Sequence, residues 1–221
     1  MTVKNSDKYL IIGDVHGRYN EMMALFEAAP KDRQIIFIGD YIDRGPDSSR
    51  VVSFVKKQIE LGAIALRGNH EDMILKAYGS DEINETYAGQ HFMNGGVSTI
   101  ASFLGNENSY NYKLFHQYVQ DNLLDFIKGL KITFHTEDFL CVHAGVYPRL
   151  PLEEQRRDDI IWIRDAFLSA PAEDFYGYPL IIHGHSHEEV LKHEHRINTY
   201  QHGFVTGLLM PEREILQIKN Q

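Results

Sequence analysis

A single cysteine, Cys141, excludes any internal disulfide in the 221-residue chain, so cysteine pairing does not constrain its redox compartment. No apolar stretch is long enough to span a bilayer. The N-terminus is polar up to Lys8, and the apolar run after it stops at Asp14, which does not make a signal-peptide pattern. Basic residues are in deficit: the formal net charge is −9. An acidic surface repels nucleic acid backbones, so attraction of an anionic ligand must come from bound cations or a few arginines. Internal repeats, low-complexity tracts and Pro/Gly/Ser linkers are missing as well. With 43% hydrophobic and 24% charged residues, the composition is that of an ordinary globular protein. The expectation is one domain over residues 1–221, cytoplasmic, with no nucleic acid or membrane partner.

What is present is a set of short apolar runs, each ending in a polar cluster. Tyr9–Ile12 runs into Gly13-Asp14-Val15-His16-Gly17. Gln34–Ile38 runs into Gly39-Asp40-Tyr41-Ile42-Asp43-Arg44-Gly45. Ala63–Leu66 leads to Arg67-Gly68-Asn69-His70-Glu71, Phe139–Val142 to His143-Ala144-Gly145, and Pro179–Ile182 to His183-Gly184-His185-Ser186-His187. Each run reads as a strand buried on both faces. Helical patterns separate the early runs: 18–29, then a segment opening at Asp47, a capping residue type. This rhythm predicts an α/β fold with parallel pairing. A helical insertion is expected over 84–128, interrupted at Gly95-Gly96, and a further helix over 153–169. Short strands separated by Gly203, Gly207 and Pro211 are expected from Arg196 onward.

In open α/β sheets the ligand site lies beyond the carboxyl ends of the strands. Five strand ends therefore deliver Asp14, His16, Asp40, Asn69, His143 and His185 to one edge. Each cluster alone could be a turn or a solvated loop; five at five strand ends point to one shared site. Oxygen and imidazole donors suit Mn²⁺, Fe or Zn²⁺. Six candidates exceed what one ion needs and suit two ions sharing a carboxylate. Such a pair lowers the pKa of a water and supplies a hydroxide nucleophile near neutral pH. Cys141, inside an apolar run, reads as core. Trp162 reads as core or rim, and His91, His116, His135, His193, His195 and His202 as surface or structural histidines.

The motifs at Gly13–Gly17, Gly39–Gly45 and Gly68–Glu71 resemble the three signature motifs of the phosphoprotein phosphatase family, within the calcineurin-like metallophosphoesterases. His143-Ala144-Gly145 and Gly184-His185-Ser186 resemble its remaining metal-ligand segments. Ile161-Trp162-Ile163-Arg164 resembles a segment of the bacterial and phage branch that carries a second phosphate-binding arginine. The resemblance spans residues 9 to 187 and implies two mixed β-sheets flanked by helices. It implies that Asp14, His16 and Asp40 hold a first metal, with Mn²⁺ the leading identity, and that Asp40 bridges to a second held by Asn69, His143 and His185. Arg44 and Arg164 would bind phosphoryl oxygens, His70 would act as general acid, and Asp43 would orient His70. The sequence departs from the family in having His187, open between a ligand of the first metal and a rim residue. The segment Asn198-Thr199-Tyr200-Gln201-His202-Gly203 also lacks the Asp expected in the bacterial relatives' closing strand.

The resemblance implies a metal-dependent phosphatase acting on phosphoserine, phosphothreonine or phosphotyrosine of a protein, or on a small phosphoester. A diadenosine tetraphosphate hydrolase is the alternative; the intact Asp43 and the lack of a long insertion lean away from it. A noncatalytic binding module is a third reading. It is expected to have lost the acid and the arginines, yet His70, Arg44 and Arg164 are present.

Overall fold

The computed structural model describes residues 8–175, 177–186 and 193–220. Strands β1 (Tyr9–Ile12), β2 (Gln34–Phe37) and β3 (Ile64–Ala65) alternate with helices α1 (Tyr19–Ala28) and α2 (Ser48–Glu60). After β3 the chain turns at once into α3 (Asn69–Tyr78) and a helical stretch of α4 (Glu85–His91), α5 (Val97–Leu104), α6 (Tyr112–Tyr118) and α7 (Leu124–Gly129). Then follow β4 (Thr133–His135), β5 (Phe139–Val142), α8 (Arg157–Trp162), α9 (Asp165–Leu168), β6 (Leu180–His183), β7 (Arg196–Asn198), β8 (Phe204–Met210) and β9 (Glu214–Lys219).

Two mixed sheets result, one ordered β3-β2-β1-β8-β9 and the other β4-β5-β6-β7. β1, β2 and β3 are parallel, as are β5, β6 and β7. The antiparallel pairs are β1–β8, β8–β9 and β4–β5.

Strand side chains alternate between faces, and both faces are apolar here. Leu10, Ile12 and Phe37 point to the core beneath α1 and α2, whereas Ile11, Ile36 and Ile38 point to a second core between the sheets. From the other sheet, Phe139, Cys141, Leu180 and Ile182 enter that middle core, while Leu140, Val142 and Ile181 pack against a third. The order is helices, sheet, sheet, helices, with all parallel strand ends at one edge. Cys141 is fully buried, and burial pushes its thiol pKa up, which fits a core residue.

Three local expectations are corrected, and one element is added. The segment 153–169 is two short helices, because Arg164, with φ −132° and ψ −99°, breaks the chain between α8 and α9. Asp47 occupies the cap position of α2, but its carboxylate bonds Arg50 and caps no backbone N–H. Gly207 lies inside β8, where it gives Leu25 and Leu10 room to approach, and separates nothing. The helix α3, beginning on a predicted ligand, was not expected at all. As for the predicted insertion, Gly95 does interrupt it: with φ 103° it sits in a π-helical turn (Phe92–Gly96) that joins α4 to α5.

Candidate metal and phosphate site

Every described residue of the predicted set lies at that common edge, and the backbone there is strained. His16, Asp40, Asp43, Arg44 and His185 all have positive φ, between 46° and 70°. A side-chain-bearing residue rarely adopts this region, and such strain concentrates at functional sites. Hydrogen bonds hold it in place: His16 and Val15 donate backbone N–H to the Asp40 carbonyl, and Gly45 donates to the His16 carbonyl. Two glycines allow the carboxylates in. A Cβ on Gly68 would strike Asp40 Oδ1, and one on Gly184 would strike Asp14 Oδ1.

Asp40 is the centre. Its Oδ2 lies 3.5 Å from His16 Nε2, and its Oδ1 lies 3.4 Å from His143 Nε2. Two groups thereby share it: His16, Asp40 and His70 on one side, Asp40, His143 and His185 on the other. Asp14 joins the first group, with Oδ2 3.9 Å from His16 Nε2. Asn69 joins the second, with Oδ1 2.9 Å from His143 Nε2 and 2.8 Å from His185 Nδ1. Asp14, His16, Asp40, Asn69, His143 and His185 are all at most 6% exposed.

The donor chemistry fits divalent cations. The Nδ1 of His16 faces the Ile42 carbonyl and that of His143 the Ile38 carbonyl, both at 2.9 Å. A carbonyl accepts only, so each Nδ1 carries the hydrogen and each Nε2 presents a lone pair. His16 Nε2 is buried with no hydrogen-bond partner among the described residues, although two carboxylates stand nearby. A buried lone pair beside two carboxylates suits a cation placed between them. Burial drives the His16 pKa down to about 3 and that of His185 to about 2, and lowers that of His143, so these rings are neutral, the form in which an imidazole could ligate a metal. Burial raises the Asp14 pKa, and the neighbouring charge of Asp40 adds to it; a bound cation would relieve both.

His70 behaves oppositely. Burial pulls its pKa down, but the charge of Asp40 and the hydrogen bond to Asp43 outweigh this and raise it. Its Nδ1 lies 2.6 Å from Asp43 Oδ2, and its Nε2 is 3.2 Å from the Arg44 guanidinium. Burial disfavours the Asp43 charge, yet His91 and His70 hold its pKa well below the carboxylate range. Arg164, on the opposite side, donates from a guanidinium N–H to the His185 carbonyl at 3.5 Å. His187 lies outside the described residues.

Two neighbours were passed over in the sequence, and a third was given no role at the site. Glu71 accepts the backbone N–H groups of Asp40, Tyr41 and Gly68. Tyr200 accepts from Arg44 at 2.9 Å and packs its ring against His16. His91, read as structural or surface, is fully buried against Asp43. Glu71 was visible inside its motif; nothing in local periodicity marks the other two.

Comparison with known proteins agrees with this geometry. The calcineurin-like phosphoesterase family model matches residues 8–189. Among curated relatives, an asymmetrical bis(5'-nucleosyl)-tetraphosphatase of Bacillus velezensis is 28% identical over 155 residues, covering 62% of this chain and 56% of that protein. A symmetrical bis(5'-nucleosyl)-tetraphosphatase of Nitrosospira multiformis is 27% identical over 147 residues, 65% of this chain and 45% of that one. The chain thus spans about half the length of these relatives. Of solved structures, a metallophosphoesterase from Sphaerobacter thermophilus aligns with TM-score 0.60 at 19% identity, covering 97% of this chain and 89% of that one. A protein serine/threonine phosphatase from Saccharomyces cerevisiae aligns with TM-score 0.59 at 15% identity, covering 97% and 80%. These two share the fold; with the family match over residues 8–189, the chain belongs to the calcineurin-like phosphoesterases.

Proposed function

We propose that this protein is a metal-dependent phosphomonoester hydrolase acting on phosphoserine and phosphothreonine side chains. The observation that carries this is the His70–Asp43 pair beside Arg44, at the edge of a two-part cluster centred on Asp40. Asp14, His16 and Asp40 would hold one divalent ion, and Asp40, Asn69, His143 and His185 a second. Bound there, the ions would neutralise phosphoryl charge and lower the pKa of the attacking water.

The remaining roles belong to the chain's own residues. Arg44 and Arg164 flank the cluster from opposite sides and bind phosphoryl oxygens as planar donors. His70 protonates the leaving oxygen, and Asp43 fixes which ring nitrogen does so. In the present arrangement Arg44 donates to His70 Nε2, and its charge opposes protonation of that ring. Engagement of Arg44 by a phosphoryl group removes that opposition at the moment when an acid is needed. An alkoxide leaving group depends on such an acid; a phosphate leaving group depends on it far less. The acid therefore favours alkyl monoesters over polyphosphates.

A second reading, hydrolysis of dinucleoside tetraphosphates, is favoured by the names of the two curated relatives. Turnover of a phosphoserine peptide, p-nitrophenyl phosphate and diadenosine tetraphosphate with added Mn²⁺ separates the readings. The proposal expects kcat/KM to be highest for the peptide. A tenfold or greater preference for the dinucleotide replaces it with the second reading, and no metal-dependent turnover of any of the three sinks both.

A further inference from the structure

The general acid's partner, Asp43, has two oxygens. One faces His70 at 2.6 Å; the other, Oδ1, lies 3.0 Å from Nε2 of a second histidine, His91. A carboxylate only accepts, so His91 Nε2 carries a hydrogen and donates it. Thr99 donates to the same oxygen at 2.5 Å and accepts the Asp43 backbone N–H at 2.8 Å.

The His91 ring is clamped. It is fully buried, lies nearly parallel to Phe115 with centroids 5.9 Å apart, and meets the Tyr78 ring edge-on at 5.7 Å. On another side Gly96 comes so close that a Cβ there would lie 2.5–2.6 Å from the imidazole. The Tyr78 hydroxyl stands 3.4 Å from Nδ1, the nitrogen left to accept. The bend that brings Gly96 onto the ring also offers the Gly95 carbonyl to the Arg44 backbone N–H at 3.3 Å. One kinked helix therefore supports Asp43 through its side chain and Arg44 through its backbone. A buried imidazole with its tautomer fixed and its ring clamped exceeds what filling an apolar cage requires.

We propose that His91 is a positioning residue for general acid catalysis. Its N–H holds the Asp43 carboxylate in the rotation that presents Oδ2 to His70 Nδ1. This rests on the hydrolase reading above. Removing the donor leaves Oδ1 with Thr99 alone and lets the carboxylate turn, so that His70 is held less firmly in the productive orientation.

The test compares His91→Phe, which fills the cage without a donor, with His91→Gln, whose amide N–H can reach Oδ1. Each is made in the parent and in His70→Asn, and assayed on a phosphoserine peptide and p-nitrophenyl phosphate with Mn²⁺. Metal content and thermal unfolding are measured alongside. His91→Phe should lower kcat on the peptide roughly 10–100-fold, the scale of lost orienting partners. KM should change little, the aryl ester should lose less, and His91→Gln should recover most of the activity. In His70→Asn, His91→Phe should add nothing, since the acid it positions is gone.

In the metal-free protein, the downfield proton signal of His70 Nδ1–H, assigned by its loss in His70→Asn, should move upfield in His91→Phe and stay in His91→Gln. Equal losses on both esters, a full further loss in His70→Asn, or an unmoved proton signal overturns the inference while leaving the hydrolase reading standing. A parent inactive on both esters overturns that reading and this inference with it. If His91→Phe does not fold, His91→Asn, too short to reach Oδ1, replaces it with the same expected and overturning results.

Discussion

The Glu71 carboxylate grips the backbone of Asp40: Oε2 accepts the Asp40 N–H at 2.9 Å, while Oε1 accepts the next N–H, of Tyr41, at 2.8 Å. Asp40 is held at φ 55°, which this grip helps to maintain, and the Gly68 N–H bonds Glu71 Oε2 as well. Glu71→Ala leaves these buried N–H groups without their acceptor, at about 1–3 kcal/mol each. We expect a lower unfolding midpoint and weaker binding of both ions, with residual activity restored by excess metal. Unchanged metal titration and midpoint would remove Glu71 from the support of the site.

Asp40 itself is shared between the two groups of candidate ligands. Asp40→Asn removes a charge that both ions would use, so bound metal and turnover should fall together. Metal analysis after dialysis gives the answer: two ions retained with near-parental kcat would contradict the bridging role.

For His70, general acid catalysis is worth roughly 10²–10⁴-fold. His70→Asn should lose that much kcat on a phosphoserine peptide while keeping its metals, and should lose less on p-nitrophenyl phosphate, whose leaving group needs little protonation. Equal losses on the two substrates would count against His70 as the acid.

The convergence of the candidate ligands was legible because each follows an apolar run closely, and parallel strands put their carboxyl ends at one edge. The sequence pattern alone therefore brings Asp14, Asp40, Asn69, His143 and His185 together. The supporting contacts were not legible, because they come from distant segments. His91 lies 48 residues from Asp43 in sequence, and Tyr200 lies 156 from Arg44. Hydrophobic period does not encode which buried polar side chain will face another. The start of α3 at Asn69 was missed because its cap is Gly68 and its first turn carries the polar residues of the motif rather than an apolar stripe. The break at Arg164 was missed because Trp162, Ile163 and Phe167 sustain helical spacing that the local backbone overrides.

Stability should depend on pH through the buried imidazoles. An unfolded histidine takes up its proton as pH falls through about 6.5. In the metal-free fold, burial keeps His16 and His183 neutral down to about 3 and His185 down to about 2. Below about 6.5 the unfolded chain thus binds more protons at these three sites, so their contribution to folding stability is full above that pH and is lost as pH falls toward 3. Each such ring contributes a slope of about 1.4 kcal/mol per pH unit within the window. Asp14 and Glu71 act in the opposite sense, because burial raises their pKa values and the folded state takes up those protons first. The imidazole share is therefore isolated by comparing urea unfolding in chelator, between pH 8 and 5, for the parent and His183→Asn. Below about pH 6.5 the parent midpoint should fall relative to that of the variant, and a constant difference between the two across the range would contradict a neutral buried His183.

The two arginines reach the cluster from different sides, and this predicts how they share phosphate binding. Arg44 is fixed by its backbone N–H to Gly95 and by donation to the Tyr200 hydroxyl at 2.9 Å. Arg164 sits at the break between α8 and α9, and its guanidinium contact at the site is a long one to the His185 carbonyl. Arg44 is the more firmly placed of the two, so its loss should cost more. A charge-assisted hydrogen bond is worth about 1.5–3 kcal/mol, so Arg44→Ala should raise the inhibition constant for inorganic phosphate roughly 10–100-fold. Arg164→Ala should raise it less. Arg44→Lys keeps the charge but loses the planar fork and should recover only part of the affinity. Tyr200→Phe leaves the guanidinium intact but frees one of its anchors, and should weaken phosphate inhibition by a smaller factor. None of the four should change metal content, because neither arginine nor Tyr200 belongs to the donor set. Phosphate inhibition that is unchanged in both alanine variants would exclude the arginines from the phosphoryl site, and a loss of bound metal in either would make them structural supports of the ligands instead.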